Sequence, residues 1–389
     1  MTLTVVTDRP AARWPRWIGA SYTPPLRPPD RLHEQRPARE LVKDPAVHRR
    51  VGLVMGRFSP PHLGHQFLVE EAYERCGLLA VVVPLAPKID GSDVLRKRHK
   101  RAVRATFARE AEVHFIRQPV PPTTDPKHLA WWAEAVRIAV AERITHVFTS
   151  DPASSGPLAK LLGAEVVVID EGRARFPLQG RLLRPDLLRN FGAVAPGARR
   201  ALGVTVGIVG AESCGKSTMA RELGAFFDCP VLEDPLRAFA NERPDRRPLS
   251  IDYDVAAGRA DILLETACRE GSRAVVVSDA TAMMARVWSE RFIDPPPRSV
   301  IPSAELEQHD LWLHLLPDLP FDGLPERDDP VGRAWTTERL RTLLASKRGT
   351  VVEISGSGQD RINAAINAVE AARDQAIAPW ARLPEPGSR

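Results

Sequence analysis

Val204-Thr205-Val206-Gly207-Ile208-Val209-Gly210-Ala211-Glu212-Ser213-Cys214-Gly215-Lys216-Ser217-Thr218 decides how the second half of this chain folds. An apolar, β-branched run leads directly into G-x-x-x-x-G-K-[ST], and a helical pattern follows from Lys216 to residue 227. Strand, glycine-rich loop and helix, in that order, is the context that makes this string a P-loop. Its backbone N–H groups are expected to wrap a β-phosphate, with Lys216 reaching the β/γ oxygens and Ser217 ligating Mg2+. Gly210, Glu212, Ser213, Cys214, Gly215, Lys216, Ser217 and Thr218 are therefore the expected ATP-binding residues. Downstream, Val275-Val276-Val277-Ser278-Asp279 ends a buried run in an acid, which makes Asp279 a candidate to hold Mg2+ with Ser217.

The same alternation extends in both directions. After the P-loop, strands are expected at Ala274–Val277, Leu311–Leu315 and Thr350–Ile354. Helices are expected near 252–270, 280–291, 336–347 and 359–374. Before it, Val51–Met55, Leu79–Val83, Val113–Ile116, His146–Thr149 and Val166–Ile169 read as buried strands, with helices over 64–75, 97–109 and 128–143. Strand–helix alternation implies parallel sheets. The fold class is α/β, with two parallel-sheet domains at 51–203 and 204–378, a Pro/Arg-rich tail over 1–50 and a C-terminal tail over 379–389.

Composition narrows the function classes. The chain has 389 residues, with 54 Lys+Arg against 49 Asp+Glu and a net charge of +5. Residues 1–50 hold ten basic and five acidic residues, so the whole excess lies there. The remainder is neutral, which disfavours a broad footprint on nucleic acid. Eight prolines in the first 50 residues argue against an independent fold or a helix-turn-helix there. Cys76, Cys214, Cys229 and Cys268 are scattered, which fits a reducing cytoplasm rather than a disulfide framework. No apolar run approaches the ~20 residues that span a bilayer. Self-association into a homo-oligomer stays open.

A second constellation follows the first strand: Gly56-Arg57-Phe58-Ser59-Pro60-Pro61-His62-Leu63-Gly64-His65. Nucleotides bind at strand–loop–helix junctions of open parallel sheets. Gly56 lets backbone approach phosphate, Gly64 allows a tight turn into the helix, and Arg57 and Phe58 lie on the same loop. His62 and His65 would donate hydrogen bonds to oxygens that gain charge in a displacement. H-x-x-H alone is commonly a surface pair; the full string in this position is far more specific.

That string resembles the G-x-F-x-P-x-H-x-G-H signature of adenylyltransferases. With the P-loop, the chain over about 51–375 resembles the bifunctional nicotinamide-nucleotide adenylyltransferase/ribosylnicotinamide kinase family (NadR-like). Val147-Phe148-Thr149-Ser150-Asp151 and Gly156-Pro157-Leu158 are similar to its F-T-S-E-P…Y-G-P-L segment. Glu233…Arg237 is similar to an E-x-x-R element, Asp252-Tyr253-Asp254 to an acidic D-Y-D stretch, and Pro320–Leu324 to a lid element. Where the family carries S-x-T-x-x-R, this chain has Gln179-Gly180-Arg181-Leu182-Leu183-Arg184. Ser155 and Phe321 replace family aromatics, and no enteric-type DNA-binding domain is expected.

The resemblance implies two ATP-dependent reactions. Nicotinamide riboside is phosphorylated to the mononucleotide, and AMP is then transferred to it, giving NAD and pyrophosphate. It implies His62, His65 and Arg184 as catalytic at the first site, and Trp131 or Trp132 as a platform for the nicotinamide ring. At the second it implies Lys216, with a base among Glu233, Asp234, Asp252 and Asp254. Glu233, Arg237, Arg327 and Arg333 would lie near the second substrate. Two alternatives are a nucleotide-binding NAD/ATP sensor without turnover, and a different nucleoside kinase/adenylyltransferase fusion.

Overall fold

Leu78–Pro84 reads LLAVVVP and is buried along almost its whole length, as a strand covered on both faces must be. In the computed structural model, which describes residues 45–85, 93–116, 126–244, 247–321, 330–381 and 383, it lies next to the central strand of a five-stranded sheet. That half begins with α1 (Pro45–His48), β1 (Val51–Met55), α2 (Leu63–Glu74), β2 (Leu78–Pro84), α3 (Asp93–Phe107) and β3 (Glu112–Ile116). It continues through α4 (Pro126–Ala139), β4 (His146–Thr149), α5 (Pro152–Leu162), β5 (Glu165–Val168), α6 (Gly180–Leu183) and α7 (Pro196–Leu202). The order is β3-β2-β1-β4-β5, and every pairing is parallel. The winding direction reverses at β1, so a crevice opens at the ends of β1 and β4.

The second half comprises β6 (Val204–Gly210), α8 (Lys216–Phe227), β7 (Val231–Leu232), α9 (Pro235–Asn241), α10 (Ser250–Glu270), β8 (Val275–Ser278) and α11 (Ala282–Phe292). It ends with α12 (Val300–Leu306), β9 (Leu311–Leu315), α13 (Pro330–Leu344), β10 (Thr350–Ile354) and α14 (Gly358–Ala381). Its sheet, β10-β9-β6-β8-β7, is also parallel throughout. The strand carrying the P-loop is again central.

Both sheets belong to one compact unit that starts at Pro45; residues 1–44 lie outside the described residues. α3 packs on α7, and a shared apolar cluster joins Leu95 and Ala102 to Leu202, Ala274, Ile377 and Trp380. Arg98 pairs with Asp310 at 2.8 Å, and Arg200 with Asp261 at 2.6 Å and Glu265 at 3.2 Å.

Several expected limits are corrected. The tail does not run to residue 50, because α1 forms at Pro45 and the Arg50 carbonyl accepts from Gly77 N–H at 2.9 Å. Nor does a tail begin at 379: α14 reaches Ala381, and Trp380 is fully buried. A proline reads as a helix breaker, yet Pro379 falls in the last turn of α14, where apolar packing holds the chain helical. α5, α7, α9 and α12 were not anticipated. All four carry proline in the first turn, where its missing N–H costs nothing. Among the described residues no helix is long and apolar enough to cross a membrane.

Candidate active sites

The loop leaving β1 is held in an uncommon shape. Phe58 has φ 48°, a left-handed conformation that a bulky residue rarely adopts. Its ring is buried edge-on against Phe107 and His65. His62 then caps α2: its Nδ1 accepts from His65 N–H at 3.3 Å, and the Nδ1 of His65 accepts from His62 N–H at 3.4 Å. The two rings stack with centroids 3.5 Å apart. Since each Nδ1 accepts, each Nε2 carries the proton. This tautomer follows from the bonding pattern. Burial, then the Arg173 charge, pushes His62 down to about 3. Burial, then His62 and Arg173, holds His65 well below the usual imidazole range. The site thus carries two neutral imidazoles with N–H donors to offer.

These donors border a cavity of about 230 Å3, whose walls include Arg57, His65, Ser150, Arg173 and Arg184. Arg184 is buried and donates to the Ser59 carbonyl at 3.3 Å. Gly180 presses on the same carbonyl, where a Cβ would come within 3.0 Å of the oxygen. Gln179 bonds Arg181 Nε at 2.8 Å and caps no N–H of the turn that follows. Gly56, Arg57, Phe58 and Gly64 all belong to the loop and helix start around the cavity.

Arg173 was missed from sequence. It sits on a turn in which Asp170, Gly172 and Arg173 all have positive φ. The Asp170 carboxylate accepts from Arg175 N–H at 2.8 Å and Phe176 N–H at 3.1 Å and so fixes that turn. The only sequence signal is a short basic cluster after the last strand. The tryptophans divide. Trp132 is fully buried in the core, which corrects its assignment to substrate, whereas Trp131 is 44% exposed. Neither lines the cavity.

In the second half, Gly210 ends β6 with φ 156°, and a Cβ there would lie 2.6 Å from the Leu315 carbonyl oxygen. Gly215 has φ 86°. Only glycine takes both turns without strain. Lys216 Nζ donates to Gly210 O at 3.0 Å and Ala211 O at 2.9 Å, and lies 5.4 Å from the Trp288 ring centroid. Arg361 on α14, buried, donates to Cys214 O at 3.0 Å and Leu316 O at 2.8 Å, tying the loop to the end of β9. Thr218 is exposed on the first turn of α8.

Ser217 Oγ donates to Asp279 Oδ2 at 2.5 Å, while Asp279 Oδ1 is buried with no hydrogen-bond partner. A hydroxyl and an orphaned carboxylate oxygen are hard donors of the kind Mg2+ takes. Among the described residues no group of three or more His, Cys, Asp or Glu forms a metal cage.

The carboxylates differ sharply in what they do. Asp252 caps α10, accepting from Leu249 N–H at 2.6 Å, and pairs with Arg243 at 2.6 Å. Arg243 also donates to its Oδ1 at 3.0 Å, so both oxygens are occupied, which corrects its assignment as a base. Asp254 accepts from the Ser299 hydroxyl, at the start of α12. Asp234 caps α9 through one oxygen, accepting from Leu236 N–H at 3.0 Å, and shares an environment with Lys216 and Asp279. Burial, then repulsion from Asp279, raises it to about 6, against the attraction of Lys216 and Arg237. Burial, then Asp234, Asp252 and Glu212, pushes the nearby Tyr253 hydroxyl up to about 12. Glu233 and Arg237 are exposed. Arg333 is buried and donates to Pro317 O and Leu319 O, both at 3.1 Å. Arg327 and the lid residues 322–324 lie outside the described residues.

Known proteins can be set beside this geometry. The AAA domain family matches residues 205–361, the segment around the P-loop. The trifunctional NAD biosynthesis/regulator protein NadR of Salmonella typhimurium is 24% identical over 246 residues, covering 56% of this chain and 58% of that protein. NadR of Escherichia coli is 24% identical over 207 residues, 47% of this chain and 48% of that one. A solved NadR structure in complex with NAD and AMP-PNP superposes over 83% of this chain and 96% of that one, at TM-score 0.53 and 20% identity. The chain is thus similar to NadR proteins, in sequence over part of its length and in fold over most of it. A second NadR structure, in complex with NR, matches the same share at 19% identity. At these identities the solved NadR structures establish the fold alone. The chain spans about half the length of the curated NadR relatives it matches.

Proposed function

We propose that this NadR-like chain is a two-site transferase that builds NAD in consecutive steps. Nicotinamide riboside and ATP react at the P-loop to give the mononucleotide and ADP. The mononucleotide and a second ATP react at the His62/His65 site to give NAD and pyrophosphate. The observation that carries this reading is the pairing, in one chain, of a neutral imidazole pair on an arginine-lined cavity with a P-loop whose serine bonds a half-satisfied aspartate. The first half is read as a Rossmann-like nucleotidyltransferase domain, and the second as a P-loop kinase domain.

At the P-loop the riboside 5′-hydroxyl attacks the γ-phosphorus, the bond to the β-bridging oxygen breaks, and Asp234 takes the hydroxyl proton. With a value near 6, Asp234 is ionised at neutral pH yet close enough to accept efficiently. Lys216 exchanges its two loop carbonyls for phosphate oxygens. Ser217 and Asp279 would hold Mg2+, which supplies neutralisation of the β/γ charge when bound. The acids around Tyr253 favour a substrate that carries positive charge, as the nicotinamide riboside ring does.

At the other site the attacking phosphate is already ionised, so no base is needed. The His62 and His65 Nε2–H groups donate to oxygens on the α-phosphorus as charge builds. Arg173 and Arg184 hold the β/γ end that leaves as pyrophosphate. Such charge-assisted bonds contribute ~1.5–3 kcal/mol each. Exposed Trp131 is the residue left to meet the nicotinamide ring.

The test is product identification by mass, with purified protein, Mg2+, ATP and riboside. NAD is expected. His65→Ala should stop at the mononucleotide, whereas Lys216→Ala should block riboside use and spare the mononucleotide step. Wild-type protein that forms no NAD from either substrate refutes the transferase reading. One observation favours a sensor: Gln179 is spent on Arg181 rather than on the turn where the family places hydroxyls. That reading predicts tight nucleotide binding with no isotope released as pyrophosphate.

A further inference from the structure

His99 belongs to neither constellation, yet it braces the first one. It lies in the middle of α3, 2% exposed. Its Nε2 is 2.9 Å from Arg57 O, 3.1 Å from Phe58 O and 3.2 Å from Ser59 Oγ. A carbonyl only accepts, so Nε2 carries the ring proton and Nδ1 presents a lone pair. The stretch it holds is the strained one, with Phe58 at φ 48°, and such conformations persist only where the surroundings over-determine them.

Behind His99 stands Trp380, edge-on with ring centroids 5.9 Å apart. Trp380 comes from the last turn of α14 and is fully buried. Its Nε1 and the Nδ1 of His99 are both buried without a hydrogen-bond partner: a donor and an acceptor on adjoining rings. Near the other end of the same helix, Arg361 grips the P-loop through the Cys214 carbonyl. One 24-residue helix thus reaches the P-loop near its start and the brace of the His62/His65 loop at its end.

We propose that His99 is a positioning residue for the first site and that Trp380 completes it. The loop from Gly56 to His62 then takes its working shape only when the last helix of the second half is in place. This rests on the transferase reading above for its kinetic consequence, but not for its structural one.

The experiment compares full-length His99→Leu, His99→Gln, Trp380→Ala and Trp380→Phe with wild type. His99→Leu fills the space without a donor and should lower kcat for NAD formation from the mononucleotide about tenfold, the loss of one hydrogen bond to a transition-state geometry. KM for the mononucleotide should stay within about threefold, and riboside phosphorylation within about twofold. His99→Gln keeps an N–H near Nε2 and should restore most of kcat. Trp380→Ala should act like His99→Leu, and Trp380→Phe should restore activity. Amide hydrogen exchange over residues 56–66 is read in parallel; it should rise in the two damaging variants and not in the two conservative ones. If wild type makes no NAD, exchange alone decides the proposal and the transferase reading is what has failed. The proposal is overturned if His99→Leu leaves both kcat and loop exchange unchanged. It is equally overturned if kinase and transferase rates fall together in every variant, since the contact then serves stability alone.

Discussion

If Asp234 is the base, as proposed, it sets the pH at which the second site can work. Its carboxyl is raised to about 6, so the ionised base is lost as pH falls through 6. For riboside phosphorylation, kcat/KM should show an acid limb centred near pH 6, and Asp234→Asn should lower it by ~10²–10⁴. An unshifted limb near pH 4 would exclude Asp234 as the base. His62 gives the opposite linkage to stability. Its folded value of about 3 lies below the usual 6.5, so between those limits the unfolded chain binds more protons. Stability is therefore full above pH 6.5 and lost as pH falls toward 3, at up to ~1.4 kcal/mol per pH unit. Urea midpoints measured from pH 7.5 to 4.5 should fall, and His62→Gln should flatten that slope. Arg173→Ala should raise KM for ATP in the mononucleotide step while sparing riboside phosphorylation. If both steps respond alike, Arg173 does not belong to the first cavity.

Elements depend on contacts that no single residue announces. α3 and α7 pack so closely that a Cβ on Gly197 would lie 2.3 Å from the Ala105 carbonyl oxygen. Backbone cannot yield as a flexible side chain does, so Gly197→Ala must push the helices apart. It should cost about 1–3 kcal/mol in urea unfolding. A neutral outcome would mean that α3 and α7 can move apart without losing their packing. The central strands were readable because they are apolar runs with one possible fate. β1, β4, β9 and β10 begin and end where their apolar runs do. α5 and α9 were not readable, because Pro152 and Pro235 suggest loops until their first-turn position is known, and Pro157 lies inside α5 itself. The same holds for acids. Asp252 and Asp254 looked equivalent in sequence, and only the structure shows one paired with Arg243 and the other bonded to the Ser299 hydroxyl.

At the scale of the whole molecule, the positive charge and the phosphate sites are separate matters. Deleting residues 1–44 removes eight basic and five acidic residues, yet touches no residue placed at either site. Both reactions should survive that deletion, measured as riboside and mononucleotide turnover. Loss of either would assign the segment a part in the site. The cut belongs at 44 rather than 48, because Arg50 and α1 pack beside Gly77. Two parallel sheets, their central strands, the P-loop and the histidine loop were all determined by the sequence itself, since apolar periodicity and glycine-bearing turns are local properties. Which acid lies beside Lys216, which arginine lies by the imidazoles, which tryptophan is core, and how α14 reaches both loops were decided only by tertiary structure. Each depends on burial and on partners far along the chain, and neither is written in the neighbourhood of a residue.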